Sequence, residues 1–316
     1  MKSFAFIFPG QGSQSTGMLD AWGAHPAVMQ ALAEASDALS EDIGGLIRDG
    51  SRDALALTTN TQPVMLVAGV AAYRVWMAET GAAPAVVAGH SLGEYSALVA
   101  SGVLSLSEAA PLVRFRAQAM QDAVPVGAGA MAAILGMEAA KVIEGCAEAV
   151  RAFGSGTTEI VEAVNFNDPL QTVIAGSKAA VDKACEVLKA NGAKRALPLA
   201  VSAPFHSSLM KPAADKLRDK LAEVRFSAPQ IPVINNIDAA VETGTDAIRS
   251  ALYRQAFGPV RWVDCVRAIK ARGPASLVEC GPGKVLAGMV KRIDPALTGA
   301  PLFDPASLAA VKEMLQ

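Results

Sequence analysis

The segment AVVAGHSLGEYSAL, residues 85–98, runs from a short apolar stretch through a tight turn into a stretch of helical period. Within it, GHSLG fits the pattern G-x-S-x-G, in which a sharp strand-to-helix turn exposes a serine hydroxyl and the glycines let neighbouring backbone pass. A serine that only caps the following helix is the alternative interpretation. The order of strand, turn and helix is typical of an α/β sheet, and it makes Ser91 a candidate nucleophile.

Apolar runs of strand length alternate with longer stretches of helical period along most of the chain. The apolar runs are residues 4–8, 85–88, 199–201, 231–234 and 276–279. The helical stretches include residues 26–39, 63–78, 94–101, 106–123, 207–224 and 284–293. This alternation predicts an α/β fold, with a mainly parallel sheet covered by helices.

Residues 126–197 follow a different order of elements. Their pattern reads strand, helix, strand, strand, helix, strand in roughly 70 residues, which is the ferredoxin-like order. The segment begins near Pro125-Val126-Gly127 and ends before Pro198. We therefore expect a larger catalytic domain, residues 1–125 and 198–316, with a small ferredoxin-like subdomain, residues 126–197, inserted into it.

Composition excludes several classes of function. The chain has 28 Lys and Arg against 30 Asp and Glu, a net charge of −2, so it lacks the basic excess that nucleic-acid binding needs. The four cysteines form no C-x-x-C pair and have no histidine at ligand spacing, so they predict buried thiols in a reducing compartment and no metal site.

No targeting or membrane segment is evident in the sequence. The N-terminal apolar run ends at Pro9-Gly10, well short of a signal peptide. The longest apolar segment, residues 63–73, is shorter than the ~18 residues that a bilayer requires. We expect a soluble, cytoplasmic protein without a membrane or nucleic-acid partner.

A serine hydroxyl needs a base, and the chain offers only three histidines. His25 precedes a proline at a predicted helix start, which indicates a structural role. His90 adjoins Ser91, but consecutive side chains in a tight turn diverge, so we expect it to brace the loop. His206 lies after the apolar run 199–201 and before a helix, and strand ends in open α/β sheets converge on one crevice. His206 is the candidate base, with a buried core histidine as the alternative.

No acidic partner for His206 stands out. Asp215 and Asp264 lie on predicted helices, where they fit surface positions equally well. A backbone carbonyl can orient an imidazole instead, and the spacing of residues leaves both possibilities open.

An arginine interrupts the apolar face of the helix predicted over residues 106–123. Leu112, Arg116 and Met120 follow one another at intervals of four and share a face, whereas Arg114 points toward solvent. The guanidinium fork of Arg116 suits a carboxylate held through two parallel hydrogen bonds. That carboxylate belongs either to one of the chain's own acids, in a buried ion pair, or to the substrate.

The glycine-rich segment FPGQGSQ, residues 8–14, follows the first predicted strand. It matches neither of the common phosphate-binding patterns. It is either an ordinary turn or a loop above the same crevice that supplies a backbone N–H to a developing oxyanion. The backbone N–H of Leu92, at the start of the helix after Ser91, is a second such candidate.

Taken together, these segments resemble the malonyl-CoA:acyl carrier protein transacylase family nearly from end to end. The segments that carry the resemblance are FIFPGQGSQ, TQPVMLVAGVAAYR, GHSLGEYSAL, VRFRAQAM, AVNFNDPLQTVIAG, PFHSSLMKPA, GPVRW and GPGKVL. The resemblance implies an α/β-hydrolase-like core with a ferredoxin-like insert. It also implies an acyltransferase that moves malonyl from coenzyme A to the phosphopantetheine thiol of acyl carrier protein, for fatty acid synthesis.

The resemblance assigns roles to individual residues. Ser91 would form a malonyl-serine with His206 as base, and the backbone of Gln255 would hold the histidine. Gln11 and Leu92 would supply the oxyanion N–H groups. The substrate-binding set comprises Arg116 on the malonyl carboxylate, with His90, Phe205, Met120, Asn167 and Gln171. Phe205 is like the malonyl-selecting members, and Asn167 and Gln171 fall where the family approaches the thiol carrier.

Two positions depart from the family's usual pattern. Ala117 stands where a glycine usually follows the arginine, and Pro204 varies the histidine loop. Neither change removes a chemical group, so activity is still expected.

The implied partners are malonyl-CoA and an acidic acyl carrier protein, with no resident cofactor and a monomeric enzyme. Four basic residues near the crevice, Lys194, Arg195, Lys284 and Lys291, would attract the carrier, or they are ordinary solvated surface. A serine hydrolase with the same nucleophile and base, a non-catalytic carrier-docking protein, and a transacylase that serves polyketide assembly are the alternatives. The motifs do not separate the last of these from an enzyme of fatty acid synthesis.

Overall fold

The computed structural model describes residues 1–201 and 203–316, which form nine strands and thirteen α-helices. The strands are β1 (Phe4–Phe8), β2 (Val86–Gly89), β3 (Gly129–Leu135), β4 (Val161–Asp168), β5 (Gln171–Ser177), β6 (Arg195–Pro198), β7 (Val233–Ile234), β8 (Ser276–Cys280) and β9 (Thr298–Leu302). The helices are α1 (Pro26–Leu39), α2 (Ile43–Asp49), α3 (Arg52–Ala56), α4 (Thr58–Thr80), α5 (Gly93–Ala100), α6 (Leu106–Asp122), α7 (Ala139–Arg151), α8 (Lys178–Ala190), α9 (Lys211–Glu223), α10 (Thr245–Ala256), α11 (Trp262–Ala271), α12 (Val285–Ile293) and α13 (Pro305–Met314).

The larger sheet has five strands in the order β7-β2-β1-β8-β9, and every neighbouring pair is parallel. All five residues of β1 and all four of β2 are buried, as expected for parallel strands covered by helices on both faces. The carboxyl ends of β1, β2, β7 and β8 lie at one edge of the sheet. The loop with Gln11 follows β1, Ser91 follows β2 and Asn236 follows β7, so this edge collects the candidate site residues.

The smaller sheet is antiparallel, with the strand order β4-β5-β3-β6. Helices α7 and α8 cover it with a separate apolar core that includes Ile134, Val142, Ile174 and Leu188. The two sheets together confirm the predicted fold class. The division into domains at residues 126 and 197 stays a prediction, and Pro198 itself pairs with Ala132 as the last residue of β6.

Strand β4 also contacts the larger part of the protein. The N–H of Phe166 donates to Val260 O at 3.0 Å, and the N–H of Val260 donates to Val164 O at 2.8 Å. This short parallel bridge lies just before α11 and brings the polar end of β4 to the edge of the sheet where Ser91 lies.

Two strand predictions need correction. Residues 199–201 are not a strand of the parallel sheet, because the chain there has just left β6 and crosses toward the crevice. Strand β9 was not predicted, because Gly299 and Pro301 in TGAPL have low strand propensity. It is an edge strand, paired only with β8, and an edge tolerates a proline without an N–H.

The longest helix, α4, is buried along most of its length and lies against α6, which carries Arg116. A helix that is apolar on all sides is typical of the interior of a large domain. Within the described residues, no helix combines the length and the apolar character that crossing a membrane would require.

Candidate active site

Ser91 lies on the tight turn between β2 and α5, with a left-handed backbone (φ 52°). A non-glycine residue in this region stores strain, which is characteristic of a strand-to-helix turn that exposes a nucleophile. The flanking glycines are required sterically. A Cβ on Gly89 would lie 1.9 Å from the backbone of Gly93, and a Cβ on Gly93 would lie 2.1 Å from Phe8 O.

His206 lies beside Ser91, although the two are separated by 115 positions in sequence. Ser91 Oγ is 2.7 Å from His206 Nε2, and His206 Nδ1 is 2.9 Å from the backbone carbonyl of Gln255. A carbonyl only accepts, so Nδ1 carries the ring proton and Nε2 of the neutral ring is free to accept from the hydroxyl. His206 also has a left-handed backbone (φ 66°) and follows β6 rather than a strand of the parallel sheet, which corrects its predicted position.

The surroundings of His206 keep its ring neutral. Burial and, as the next largest cause, the nearby positive charge of Arg116 together lower the pKa of His206 from 6.5 to about 3. A neutral imidazole can take a proton from Ser91 throughout the physiological range. The arrangement is that of a general base and a serine nucleophile, with a carbonyl in place of an acid.

Arg116 points from α6 to the same serine and is 2 % exposed. Its Nη2 donates to Ser91 Oγ at 3.3 Å and to Gln255 Oε1 at 3.1 Å, and its Nη1 donates to Gln62 Oε1 at 2.8 Å. The ring of Tyr95 packs at 5.5 Å from the guanidinium carbon. Neutral oxygens and an aromatic face therefore hold the group in place.

The described residues provide no ion-pair partner for Arg116. Its Nε is buried and has no hydrogen-bond partner among them. A buried guanidinium with no anion in direct contact is costly, and the attraction of the nearby Glu94 carboxyl offsets only part of that cost, because burial still lowers the pKa of Arg116. The geometry thus disfavours an ion pair within the chain and favours a carboxylate brought by a substrate.

A cavity of about 120 Å³ opens onto these three groups. Its lining includes Gln11, Leu92 and Phe205 as well as Ser91, Arg116 and His206. Within the described part of the chain, the backbone N–H groups of Gln11 and Leu92 donate to no protein acceptor. Two free N–H groups beside a nucleophile are what an oxyanion requires.

A neighbouring cavity holds the remaining polar candidates. Asn167, Gln171 and His90 line it, and His90 Nε2 donates to Asn167 Oδ1 at 2.8 Å. His90 and Asn165 line both cavities, so the two are adjacent. The structure does not bring Met120 to either lining; its side chain is buried in the main apolar core.

Four site residues were missed from the sequence. Gln62 holds Arg116, Asn236 Oδ1 accepts from Ser91 N at 2.7 Å, and Glu94 accepts from Gln255. Asn165 Oδ1 is buried and has no partner among the described residues. Signals existed for two of them: Gln62 is a polar residue inside an apolar helical run, and Asn236 follows a short apolar strand just as Ser91 does.

The other sequence candidates lie elsewhere. His25 caps α1, where its Nδ1 accepts from Ala27 N at 3.2 Å. Asp215 bonds Lys211 and Tyr253, and Asp264 bonds Arg261, so neither orients His206. Arg114 was expected to point to solvent but is half-buried against Glu41. No cluster of three or more potential metal ligands occurs among the residues that the structure describes.

Comparison with known proteins agrees with this geometry. The acyl transferase domain family matches residues 5–295. The chain is 51 % identical over 315 residues to the malonyl CoA-acyl carrier protein transacylase of Escherichia coli (strain K12), which covers 99 % of this chain and 100 % of that protein.

Solved structures give the same result. The acyl-carrier-protein S-malonyltransferase of Burkholderia pseudomallei 1710b is 62 % identical with a TM-score of 0.95, covering 99 % of this chain and 100 % of the other. A malonyl-transacylase solved in complex with a type II PKS acyl-carrier protein is 49 % identical with a TM-score of 0.95, at the same two coverages.

Proposed function

The chain belongs to the malonyl-CoA:acyl carrier protein transacylase family of acyl transferases, and we propose that Ser91 carries malonyl from coenzyme A to the thiol of a carrier protein. Its enzyme class is that of an S-malonyltransferase. The observation that carries the proposed mechanism is an unpaired guanidinium 3.3 Å from a serine hydroxyl that is itself 2.7 Å from a neutral imidazole.

In the first step, Ser91 Oγ attacks the thioester carbonyl and His206 Nε2 takes the hydroxyl proton. The N–H groups of Gln11 and Leu92 stabilise the oxyanion, each contributing roughly 10²–10³ in rate. The C–S bond then breaks and the protonated histidine returns its proton to the leaving thiolate of coenzyme A. The product is a malonyl-serine ester and a neutral base.

In the second step, the phosphopantetheine thiol of the carrier gives its proton to His206 and attacks the malonyl-serine. The C–O bond to Ser91 breaks, and the proton returns to the serine oxygen. His206 takes and returns one proton in each step, so the two half-reactions mirror each other. The exchange therefore needs no resident cofactor. The absence of a cofactor is part of the proposal.

Arg116 accounts for the choice of malonyl. Arg116 lines the same cavity as Ser91, and its Nε has no hydrogen-bond partner among the described residues, so a carboxylate beside the nucleophile would find donor capacity that the protein does not use. A planar fork meets a planar carboxylate with two charge-assisted hydrogen bonds. Phe205, 9 % exposed on the cavity wall, limits the space for substituents beside the acyl chain.

Exposed basic residues, of which Lys284 directly precedes Val285 in the lining of the second cavity, suit an acidic carrier. Lys194, Arg195, Lys284 and Lys291 are exposed, and none makes an ion pair with a described acid. Two exposed apolar side chains, Leu199 and Val285, line the same cavity. We expect the transfer rate to the carrier to fall as salt concentration rises, because exposed charges are screened. A flat rate would argue against this surface.

The wider setting is also part of the proposal. We place the enzyme in the cytoplasm as a monomer that supplies fatty acid synthesis. The four cysteines are free thiols, which suits a reducing compartment. Testing the chain against fatty acid and polyketide carrier proteins side by side would decide which pathway it serves.

The mechanism is tested by incubation with malonyl-CoA, followed by mass spectrometry of the intact protein and of its peptides. A malonyl adduct on Ser91, absent from Ser91→Ala, supports the proposal. An adduct elsewhere, or no adduct, overturns it. Free malonate released quickly without an acceptor thiol would instead indicate a hydrolase.

A further inference from the structure

Glu94, Asn236 and Gln255 form a buried polar network beside Ser91, and none of the three lines the cavity. Asn236 and Gln255 are fully buried, and Glu94 is 2 % exposed. The network holds the backbone of Ser91 at two points. Gln255 Nε2 donates to Ser91 O at 3.0 Å, and Ser91 N donates to Asn236 Oδ1 at 2.7 Å.

The side-chain amide of Gln255 links this network to Arg116. An amide has a donor end and an acceptor end of nearly equal shape, so its neighbours decide which way it faces. Its Nε2 lies 2.8 Å from Glu94 Oε2, and its Oε1 lies 3.1 Å from Arg116 Nη2. The reverse orientation would set the amino group against the guanidinium, and the oxygen against the carbonyl of Ser91 and the carboxylate of Glu94.

We propose that Glu94 is a positioning residue for Arg116, which fixes the direction of the Gln255 amide and thereby favours acyl groups that carry a carboxylate. This inference rests on the proposed function, because it concerns how Arg116 meets malonyl. Glu94 makes no hydrogen bond or ion pair with Arg116 among the described contacts, although the two charges attract each other, and the hydrogen-bonded route between them runs through Gln255.

The role requires an acceptor at position 94 rather than a negative charge. Glu94 Oε2 accepts two hydrogen bonds, from Gln255 Nε2 and from Asn236 N at 2.9 Å. Burial raises the pKa of Glu94 to about 7, so its charge is partly lost at neutral pH while an oxygen remains to accept.

Two substitutions at one position separate orientation from charge. Glu94→Met removes the acceptor but keeps an unbranched side chain, and we expect the ratio of kcat/KM for malonyl-CoA to that for acetyl-CoA to fall about tenfold or more. Glu94→Gln keeps an oxygen for Asn236 N and Gln255 Nε2, so the ratio should stay within about threefold of the parent. A ratio lost equally in both variants would overturn the proposal, since charge would then be the cause.

A double-mutant cycle tests whether Glu94 acts through Gln255. Gln255→Met should lower the malonyl-to-acetyl ratio, and adding Glu94→Met to it should change the ratio no further. Additive losses mean that Glu94 acts by another route. A general loss of structure would lower both activities together and leave the ratio unchanged, which would also contradict the proposal.

The result stays informative if Glu94→Met does not fold. In that case Gln255→Met must still lower the ratio, and Glu94→Gln must still keep it; failure of either overturns the inference. Failure of the proposed function is separate, because it appears in the parent protein as the absence of a malonyl adduct on Ser91.

Discussion

Arg116 is a permanent positive charge inside the protein, held by two glutamine oxygens and an aromatic ring. A carboxylate from the chain in place of either glutamine would neutralise the charge that a dicarboxylic acyl group needs. Under the proposed function, selectivity depends on how the arginine is held as well as on the arginine itself.

Removing this side chain should change which acyl group is transferred. We expect Arg116→Ala to lower malonyl transfer by roughly ten- to a hundredfold, the loss of one or two hydrogen bonds to a charged group, and to keep or raise acetyl transfer. Arg116→Lys keeps the positive charge but loses the fork of donors. Its rate of malonyl transfer should lie between those of the parent and of Arg116→Ala. Steady-state assays with malonyl-CoA and acetyl-CoA measure this, and equal losses for both would refute the carboxylate role.

His206 should stay neutral far below its ordinary pKa. Its pKa of about 3 means that the base is available at pH 5, where an unperturbed imidazole would be mostly protonated. The folded-state pKa is depressed, so the stability that the neutral ring contributes is present above pH 6.5 and is lost as pH falls toward 3. Proton-carbon NMR of the ring signals, assigned with His206→Gln, measures this directly. A His206 signal that titrates near 6.5 would contradict it.

Some site residues could be predicted from the sequence and others could not. Ser91, His206 and Arg116 could be singled out because each is a reactive or charged side chain in a segment that is otherwise apolar or tightly turned. Glu94 could not, because its role depends on which atoms face each other across β7 and α5, whereas Asn236 has a signal in its position directly after a short apolar strand. Met120 shares a helix face with Arg116, but a shared face does not determine whether a side chain reaches the cavity. The side chain of Met120 is buried in the main apolar core instead.

At the level of elements, the strand-to-helix turn depends on two close backbone approaches. Gly93 Cα faces Phe8 O so closely that an added Cβ would lie 2.1 Å from it, and backbone cannot move aside as a side chain can. The end of β1 and the start of α5 are thereby locked together, which sets the loop with Gln11 above Ser91.

Alanine at this glycine should therefore be severe. We expect Gly93→Ala to destabilise the protein by about 3 kcal/mol or more, the upper range for forced overpacking. Gly288 is the matched control, since it is exposed within α12 and an added Cβ would meet nothing within 4 Å. Gly288→Ala should instead stabilise by about 0.5–1 kcal/mol. Urea unfolding of both variants compares them, and similar changes in the two would argue against the close approach.

Long helices could be predicted from the sequence, whereas some short strands could not. Helices α1, α4, α6 and α12 were predicted because their apolar period is long enough to be unambiguous. Strand β9 was not predicted and residues 199–201 were wrongly predicted as a strand, because three to five residues carry too few positions to separate an edge strand from a crossing loop. β9 is a strand because it pairs with β8, and residues 199–201 lie just after the part of β6 that pairs with β3. Such pairing depends on the whole sheet and cannot be read from a short segment.

At the level of the whole molecule, the interior contains acids that the proposed reaction does not use. Glu279 on β8 is fully buried, and its Oε2 accepts from Ala287 N at 2.7 Å, which joins the sheet to the start of α12. Its Oε1 has no partner among the described residues. Burial raises the pKa of Glu279 to about 7, and backbone N–H groups of α12 offset only part of that effect.

This buried acid should make stability depend on pH. Between pH 4.5 and 7 the folded protein holds a proton on Glu279 that the unfolded chain has released, so the free energy of unfolding falls as pH rises through that range. Glu279→Gln removes the effect. Its stability relative to the parent should therefore rise from pH 5 to pH 8, by on the order of 1.4 kcal/mol for each unit of the pKa difference.

The comparison between variants isolates Glu279 from the other groups that titrate in the same range. Glu94 is also buried with a raised pKa, and His206 acts in the opposite direction, but both are present in parent and variant alike and cancel in the difference. Glu144→Gln, at an exposed position on α7, is the control and should not show the trend. Urea unfolding of the parent and both variants at pH 5 and pH 8 gives the six free energies. If the stability of Glu279→Gln relative to the parent does not rise between pH 5 and pH 8, the buried carboxyl ionises as easily in the folded protein as in the unfolded chain. That result would contradict the prediction.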